Sequence, residues 1–348
     1  LILKTFLYKK GGFYIDNNWC LNKRKAMTRV LGMGNALVDI LIRLENDDLL
    51  KEFYLPKGSM QLVDQTFARK IQERASTKVA VKASGGSAAN TIHGLAELDI
   101  GTGFIGKVGK DMLGKFFKED LERAGIEPVL FYGKADTGIA VTLITPDSER
   151  TFTVYLGAAM EQTPEDISDK FFQNYNYFHV EGYLVQNHEL IETAIKLAKK
   201  NNLTVSLDLA SYNVVEENVE FLKRLIPEYV DIVFANEEEA MAFTGKEPKE
   251  ALTDLAEISE IAVVKIGERG SLIKKGKKYN EVGIIDADCV DTTGAGDLYA
   301  AGFIYGLIRK LSLKECGKVG ALLSGKVIEN IGGKINRNTW IEIKKSFS

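Results

Sequence analysis

Apolar and polar positions along this chain alternate between two rhythms, one with the period of a strand and one with the period of a helix. After Met27, "RVLGMGNALVDILIRL" is dense in aliphatic and β-branched residues and predicts strand structure. In "SAANTIHGLAEL", Ala89, Ile92, Leu95 and Ala96 recur at helical spacing, and "GTGFIGKVG" after it reads as strand and turn. "DMLGKFFKEDLERAG" repeats apolar positions at Leu113, Phe116, Phe117 and Leu121, with Gly125 as its stop. Residues 138–156 are two β-branched runs joined by Pro-Asp-Ser, a hairpin signal.

The second half is more regular. A helix over "ELIETAIKLAKKN" precedes a strand "LTVSLDLA", and a strand "VDIVFAN" runs into a helix "EEEAMAFTG". A strand "IAVVKIG" and a hairpin around Lys274–Lys278 follow, and Ser312 with Glu315 forms a capping-box pattern before the closing helices. Strands alternating with helices imply βαβ units and a mainly parallel sheet covered on both faces. The β-rich pieces near 36–64 and 136–157 break that alternation, which places them in a small accessory sheet, a candidate lid. No internal repeat or low-complexity tract interrupts the pattern.

Composition narrows the class. The chain has 348 residues, 45% hydrophobic and 27% charged, as in an ordinary globular protein. A formal charge of −3 lacks the basic excess of a nucleic-acid binder. No apolar run approaches the roughly 20 residues that span a bilayer. The cysteines, Cys20, Cys289 and Cys316, have no metal-ligand spacing and fit free thiols in a reducing cytoplasm. Residues 1–26 carry six basic residues against Asp16 and are expected to lie outside the fold, with a basic targeting arm as the alternative. The globular domain is expected over 27–345.

Two glycine patterns mislead. "GTGFIG", Gly101 to Gly106, spells the dinucleotide fingerprint, but its glycines follow a helix and enter a strand, the reverse of what a pyrophosphate site needs. The same stretch nearly spells a P-loop, yet Val108 stands where a Mg²⁺-binding Ser or Thr is required. "VLGMGNALVDI" reads as a first strand ending in the polar pair Asn35 and Asp39, for which turn and cap chemistry is the plainer local explanation.

"DTTGAGD", Asp291 to Asp297, carries more. Apolar "VGII" precedes it and a helical pattern follows, so it is read as a strand-to-helix junction. A first helical turn offers unpaired N–H groups and partial positive charge, which attract phosphate. Gly294 and Gly296 allow close approach there. A carboxylate at that anion site, Asp297, makes sense as the group that takes a proton from a hydroxyl attacking a phosphoryl group. The structural alternative is a helix cap, since Asp and Thr both cap well.

This stretch resembles the second signature of the ribokinase-like (PfkB) family of carbohydrate and nucleoside kinases. The first signature is similar to "GGSAANTIHGLAEL" at 85–98 with "IGKVGKDMLG" at 105–114, and Asn-x-x-Glu occurs at Asn236 to Glu239. The resemblance spans about residues 27–335. It implies a three-layer α/β/α ribokinase-like fold with a mainly parallel sheet and a small β-sheet lid. It implies Asp297 as catalytic base, with the backbone of Gly294, Ala295 and Gly296 as anion hole. It implies that Asn236 and Glu239 organise Mg²⁺ through water at ATP, that Lys265 and Gly267 line the ATP cleft, that Thr293 reaches the nucleotide, and that Arg150 reaches its phosphates when the lid closes. For Lys265 a solvated ammonium is the alternative, and for Arg150 a solvated hairpin tip. Asp291 and Thr293 match positions that in some members help bind a monovalent cation such as K⁺. On the acceptor side the resemblance implies Asn35, Asp39, Gly85, Gly86 and Asn90.

"GMGNALVDI", "DSERTFTVYLGAA" and "VEGYLV" look more like the adenosine-kinase branch than the ribokinase branch. The expected partners are therefore ATP and a small nucleoside or sugar, adenosine first, with Phe152, Tyr155 or Met60 as candidates for a base slot. A free-sugar kinase is the alternative within the class, and a non-catalytic nucleotide- or sugar-binding regulator the alternative outside it. Neither nucleic acid nor membrane is an expected partner, and both monomer and homodimer are compatible with the sequence.

Overall fold

A computed structural model describes residues 28–75, 79–147 and 149–347, so the basic N-terminal residues, Cys20 and Ser148 of the hairpin turn lie outside the described residues. The strands are β1 (Arg29–Met33), β2 (Leu37–Arg43), β3 (Met60–Leu62), β4 (Val79–Gly85), β5 (Gly101–Val108), β6 (Ile126–Tyr132), β7 (Thr137–Ile144), β8 (Arg150–Gly157), β9 (Tyr177–Glu181), β10 (Thr204–Asp208), β11 (Ile232–Asn236), β12 (Ile261–Lys265), β13 (Ser271–Lys275) and β14 (Lys278–Val282). The helices are α1 (Asp48–Glu52), α2 (Gln65–Ala75), α3 (Ser87–Glu97), α4 (Met112–Arg123), α5 (His188–Lys200), α6 (Tyr212–Tyr229), α7 (Glu237–Thr244), α8 (Pro248–Ile258), α9 (Ala295–Ile308), α10 (Leu313–Val327) and α11 (Arg337–Ser346).

A nine-stranded sheet in the order β14-β13-β12-β11-β10-β9-β1-β5-β6 forms the middle layer, parallel from β12 to β6 and antiparallel at β13 and β14. Successive side chains on a strand point to opposite faces, and here each face has its own core. On β11, Ile232 and Phe234 pack with α3, α9 and α10, while Val233 and Ala235 pack with α5 to α8. That double burial explains why these strands read as continuous apolar runs. The architecture is the three-layer arrangement expected. The hairpin read around Lys274–Lys278 is β13–β14, and the Ser312–Glu315 capping box starts α10.

A second sheet, β3-β8-β7-β2-β4, stands apart from the first. It contains the two stretches that broke the alternation and adds β4, which the sequence reading did not include. The run "RVLGMGNALVDILIRL" is not one strand. β1 enters the large sheet, residues 34–36 cross over, and β2 enters the small one. Asn35 therefore lies in the crossover and Asp39 inside β2, rather than together at a strand end. The strand expected from "VGII" ends at Val282, and residues 283–290 reach Asp291 as an irregular segment. Its Ile284 is 58% exposed, so this apolar stretch is wall rather than core.

Candidate active site

In an open parallel sheet, ligands bind beyond the carboxyl ends of the strands, near the point where strand order reverses. Here that point is β1, flanked by β5 and β9. Glu181, Asp208, Asn236 and Lys265 are the last residues of β9, β10, β11 and β12, and all four line one cleft of 1460 Å³. This exceeds the roughly 300–1,000 Å³ of a site for one drug-sized ligand.

Asp297 is the third residue of α9, whose start is Gly294 in the left-handed conformation (φ 78°). A Cβ on Gly294 would come 2.7 Å from Cα of Gly333, so conformation and space both require glycine. Ala295 donates its N–H to the Thr292 carbonyl at 3.1 Å. The N–H groups of Gly296 and Asp297 belong to the first turn, where no intrahelical acceptor exists. Ser87 and Asn90 lie three apart on one face of α3 and donate to the two oxygens of Asp297, at 2.7 and 2.9 Å. Thr91 donates to the Asp297 carbonyl at 3.1 Å, which pins α3 to α9. Burial pushes the Asp297 carboxyl up to about 6, against the two hydrogen bonds that lower it.

Asp39 faces the same cleft from β2, next to Gly85 of the paired strand β4. A Cβ on Gly85 would lie 2.2 Å from the Asp39 carboxylate, which explains the glycine. Burial raises Asp39 to about 7, with Lys334 opposing the rise. Asn35, Gly86 and Asn90 also line the cleft, so the predicted acceptor residues come together around Asp39 and Asp297.

Asn236 and Glu239 form a reciprocal cap on α7. Asn236 Oδ1 accepts the Glu239 N–H at 2.8 Å, and Glu239 Oε2 accepts the Asn236 N–H at 2.8 Å. Glu239 is only 2% exposed, and burial followed by the charge of Asp208 raises it to about 7. Lys265 is not a free solvated ammonium: its Nζ is 2.9 Å from Asp208 Oδ2, in a largely buried pair on the cleft wall. Gly267 lines the cleft with a positive φ of 57°.

Arg150 is not a solvated hairpin tip. Its guanidinium donates to the Val290 carbonyl and stands 3.6 Å from Asp291, outside the residues that line the cleft. Asp291 accepts N–H groups from Thr293 (2.9 Å) and Gly332 (2.7 Å). With these two donors and a guanidinium facing its carboxylate, Asp291 is engaged within the protein and shapes the loop before Gly294. Thr293 itself lines the cleft.

Sequence reasoning missed Ser87, Asp208 and Glu181. Glu181 is 1% exposed and accepts the N–H groups of Asn35 (2.9 Å) and Ala88 (2.8 Å), tying the β1–β2 crossover to the start of α3. Burial lifts it to about 7. For Glu181 and Asp208 the usable signal was an acidic residue closing an apolar run, as in "FHVE" and "VSLD".

Mg²⁺ that travels on phosphates needs only one or two carboxylates and keeps several waters. Among the described residues no group of three or more His, Cys, Asp and Glu could hold a metal by itself. Asn236 and the single buried carboxylate of Glu239, side by side at the start of α7 on the cleft wall, fit the nucleotide-borne case.

A buried carboxylate beside a glycine-lined helix start, in a cleft large enough for two ligands, is the arrangement that phosphoryl transfer to a hydroxyl acceptor requires. Residues 63–340 match the pfkB family carbohydrate kinase, and the chain belongs to this family, in its adenosine-kinase-like branch. The adenosine kinase from Sinorhizobium meliloti is 35% identical with a TM-score of 0.81, over 92% of this chain and 100% of that one. A probable sugar kinase protein from Rhizobium etli is also 35% identical, with a TM-score of 0.82, over 92% and 99%. Adenosine kinase 2 of Arabidopsis thaliana is 26% identical over 87% of this chain and 94% of its own length. These likenesses bear out the family, the fold and the phosphotransferase class read from the sequence. No helix among the described residues is long and apolar enough to cross a membrane.

Proposed function

We propose that this protein transfers the γ-phosphoryl group of ATP to the 5′-hydroxyl of a ribonucleoside, adenosine first. The observation that carries this reading is Asp297. Its carboxylate is held by Ser87 and Asn90 on the acceptor side, while the neighbouring Gly296 backs onto Lys265 on the other. A carboxylate offers about four lone-pair sites, so two remain for an incoming hydroxyl. The acceptor oxygen bonds to the γ-phosphorus as the bond to the β–γ bridging oxygen breaks. Its proton passes to Asp297, and ADP leaves with the electron pair. The first-turn N–H groups of α9 stabilise the charge on the transferred group. Asn236 and Glu239 would hold Mg²⁺ through water, and the ion would supply further charge neutralisation to the triphosphate.

The small sheet acts as the lid on the acceptor. Its Met60 and Leu62 are 57% and 66% exposed, yet both line the cleft with Val154 and Leu156. These are apolar surfaces that a base can cover. Tyr155 lies on the other face of β8, against the core, and Phe152 does not line the cleft. Of the three residues expected for a base slot, only Met60 takes part, and the slot is aliphatic. The rings that line the cleft, Tyr183 and Tyr299, come from outside the small sheet; because the lid's own cleft face offers a base no ring to stack on, a free-sugar acceptor is the second reading.

Release of ADP across adenosine, inosine, guanosine, ribose, fructose and no acceptor decides between them. Adenosine is expected to give the highest kcat/KM. A sugar preferred by more than about tenfold would keep the mechanism and replace the substrate. Because Asp297 must be ionised to take the proton, kcat is expected to fall about tenfold per pH unit below about 6. A profile flat to pH 5 would remove Asp297 as the base.

A further inference from the structure

Lys265 ends β12 at the point where the large sheet meets the first turn of α9. Its ammonium pairs with Asp208 Oδ2 at 2.9 Å, and a Cβ on Gly296 would lie 3.1 Å from Nζ. The charge thus stands beside the same turn whose N–H groups face the cleft. Burial works against this cation, but Asp208 and then Glu239 outweigh it and raise its pKa, so it is charged at neutral pH. Burying an ion pair is weak support for a fold, because desolvation offsets most of the attraction. Two apolar residues would hold this strand end equally well. An ammonium has three donors on a compact charge; the one hydrogen bond it makes here, to Asp208, leaves two of them for a ligand.

We propose that Lys265 is a catalytic residue of the phosphoryl transfer, its ammonium contacting the γ-phosphoryl oxygens at the N-terminus of α9, with Asp208 as the positioning residue that holds it there. The inference rests on the kinase reading above. It gives the site an internal cation fixed on a strand, independent of Arg150, which in this structure is engaged with Val290 and Asp291. In the transfer already described, Lys265 neither gains nor loses a proton. It faces the oxygens on which charge accumulates while the bond to the bridging oxygen breaks.

The test uses Lys265→Met, Lys265→Arg and the double variant Lys265→Met/Asp208→Asn, the last because a lone buried Asp208 could impair folding. Steady-state kinetics with the preferred acceptor is combined with calorimetry of Mg²⁺–ADP and of a Mg²⁺ complex of a non-hydrolysable ATP analogue. Lys265→Met and the double variant are expected to lose about 10²–10³-fold in kcat, with acceptor KM nearly unchanged. Both should lose affinity for the ATP analogue by at least about tenfold and keep affinity for ADP. Lys265→Arg should recover part of kcat. If the double variant folds and keeps kcat within about threefold, or weakens ADP and the analogue equally, Lys265 only lines the cleft and the proposal falls. If the wild type turns over no acceptor, the kinase reading fails separately, and the ADP-versus-analogue comparison still decides the contact to the γ-phosphate.

Discussion

Asp297→Asn is expected to reduce kcat by about 10²–10⁴-fold while leaving ATP bound at least as tightly as in the wild type. The amide has nearly the shape of the carboxylate but cannot accept the acceptor's proton. Ser87 can still donate to the side-chain oxygen of residue 297. The other contact changes sign, because the new amide would present N–H to the Asn90 amide nitrogen. Asn90 can answer by turning its amide over, since its own Oδ1 is buried without a partner. The fold therefore has a way to keep both helices in place, and one negative charge fewer faces the triphosphate. Steady-state kinetics and nucleotide titration check the two halves of this result. A variant retaining more than about a tenth of wild-type kcat would sink the assignment of the base.

Glu181→Ala is expected to destabilise the protein by about 2–6 kcal/mol, the cost of leaving two buried N–H donors without an acceptor. Both of its oxygens are engaged, by Asn35 and by Ala88, and the side chain is buried in the cleft wall. The loss is local as well as global. Asn35 sits in the crossover between sheets, and Ala88 is in the first turn of α3, one residue after Ser87. Acceptor binding should weaken together with stability. Glu181→Gln keeps one accepting oxygen and should fall between the two. Denaturant titration at pH 7.5 with acceptor titration on the folded fraction measures both. A wild-type midpoint for Glu181→Ala would mean that water or a neighbour replaces the carboxylate.

The large sheet and its helices were legible because periodicity reports burial, and burial on two faces is what the middle layer imposes. The same signal could not say which sheet a strand joins. β1 and β2 look like one run because each is buried in its own sheet, and the three residues between them include Gly34 and Ala36, which carry no polar warning. β4 was missed for a related reason: its polar Lys82 and Ser84 interrupt the apolar pattern. At the site, Asp297 and Asn90 were readable from local motifs, whereas Ser87 acquires meaning only when α3 meets α9. Glu181 and Asp208 depend on long-range pairing, to residues 35 and 88 and to residue 265. The partners of Arg150 were not legible because a hairpin sequence does not reveal what the hairpin leans on, here Val290 and Asp291.

The small sheet takes β2 to β4 and β7 to β8 from stretches of chain that alternate with β1, β5, β6 and β9 of the large one. The small sheet is therefore not a contiguous cassette that one splice could exchange. Any crossover that swaps the first stretch without the second leaves β2 facing a foreign β7, its partner along seven consecutive residue pairs. Chimeras built from a single splice point will therefore join mismatched halves of the small sheet.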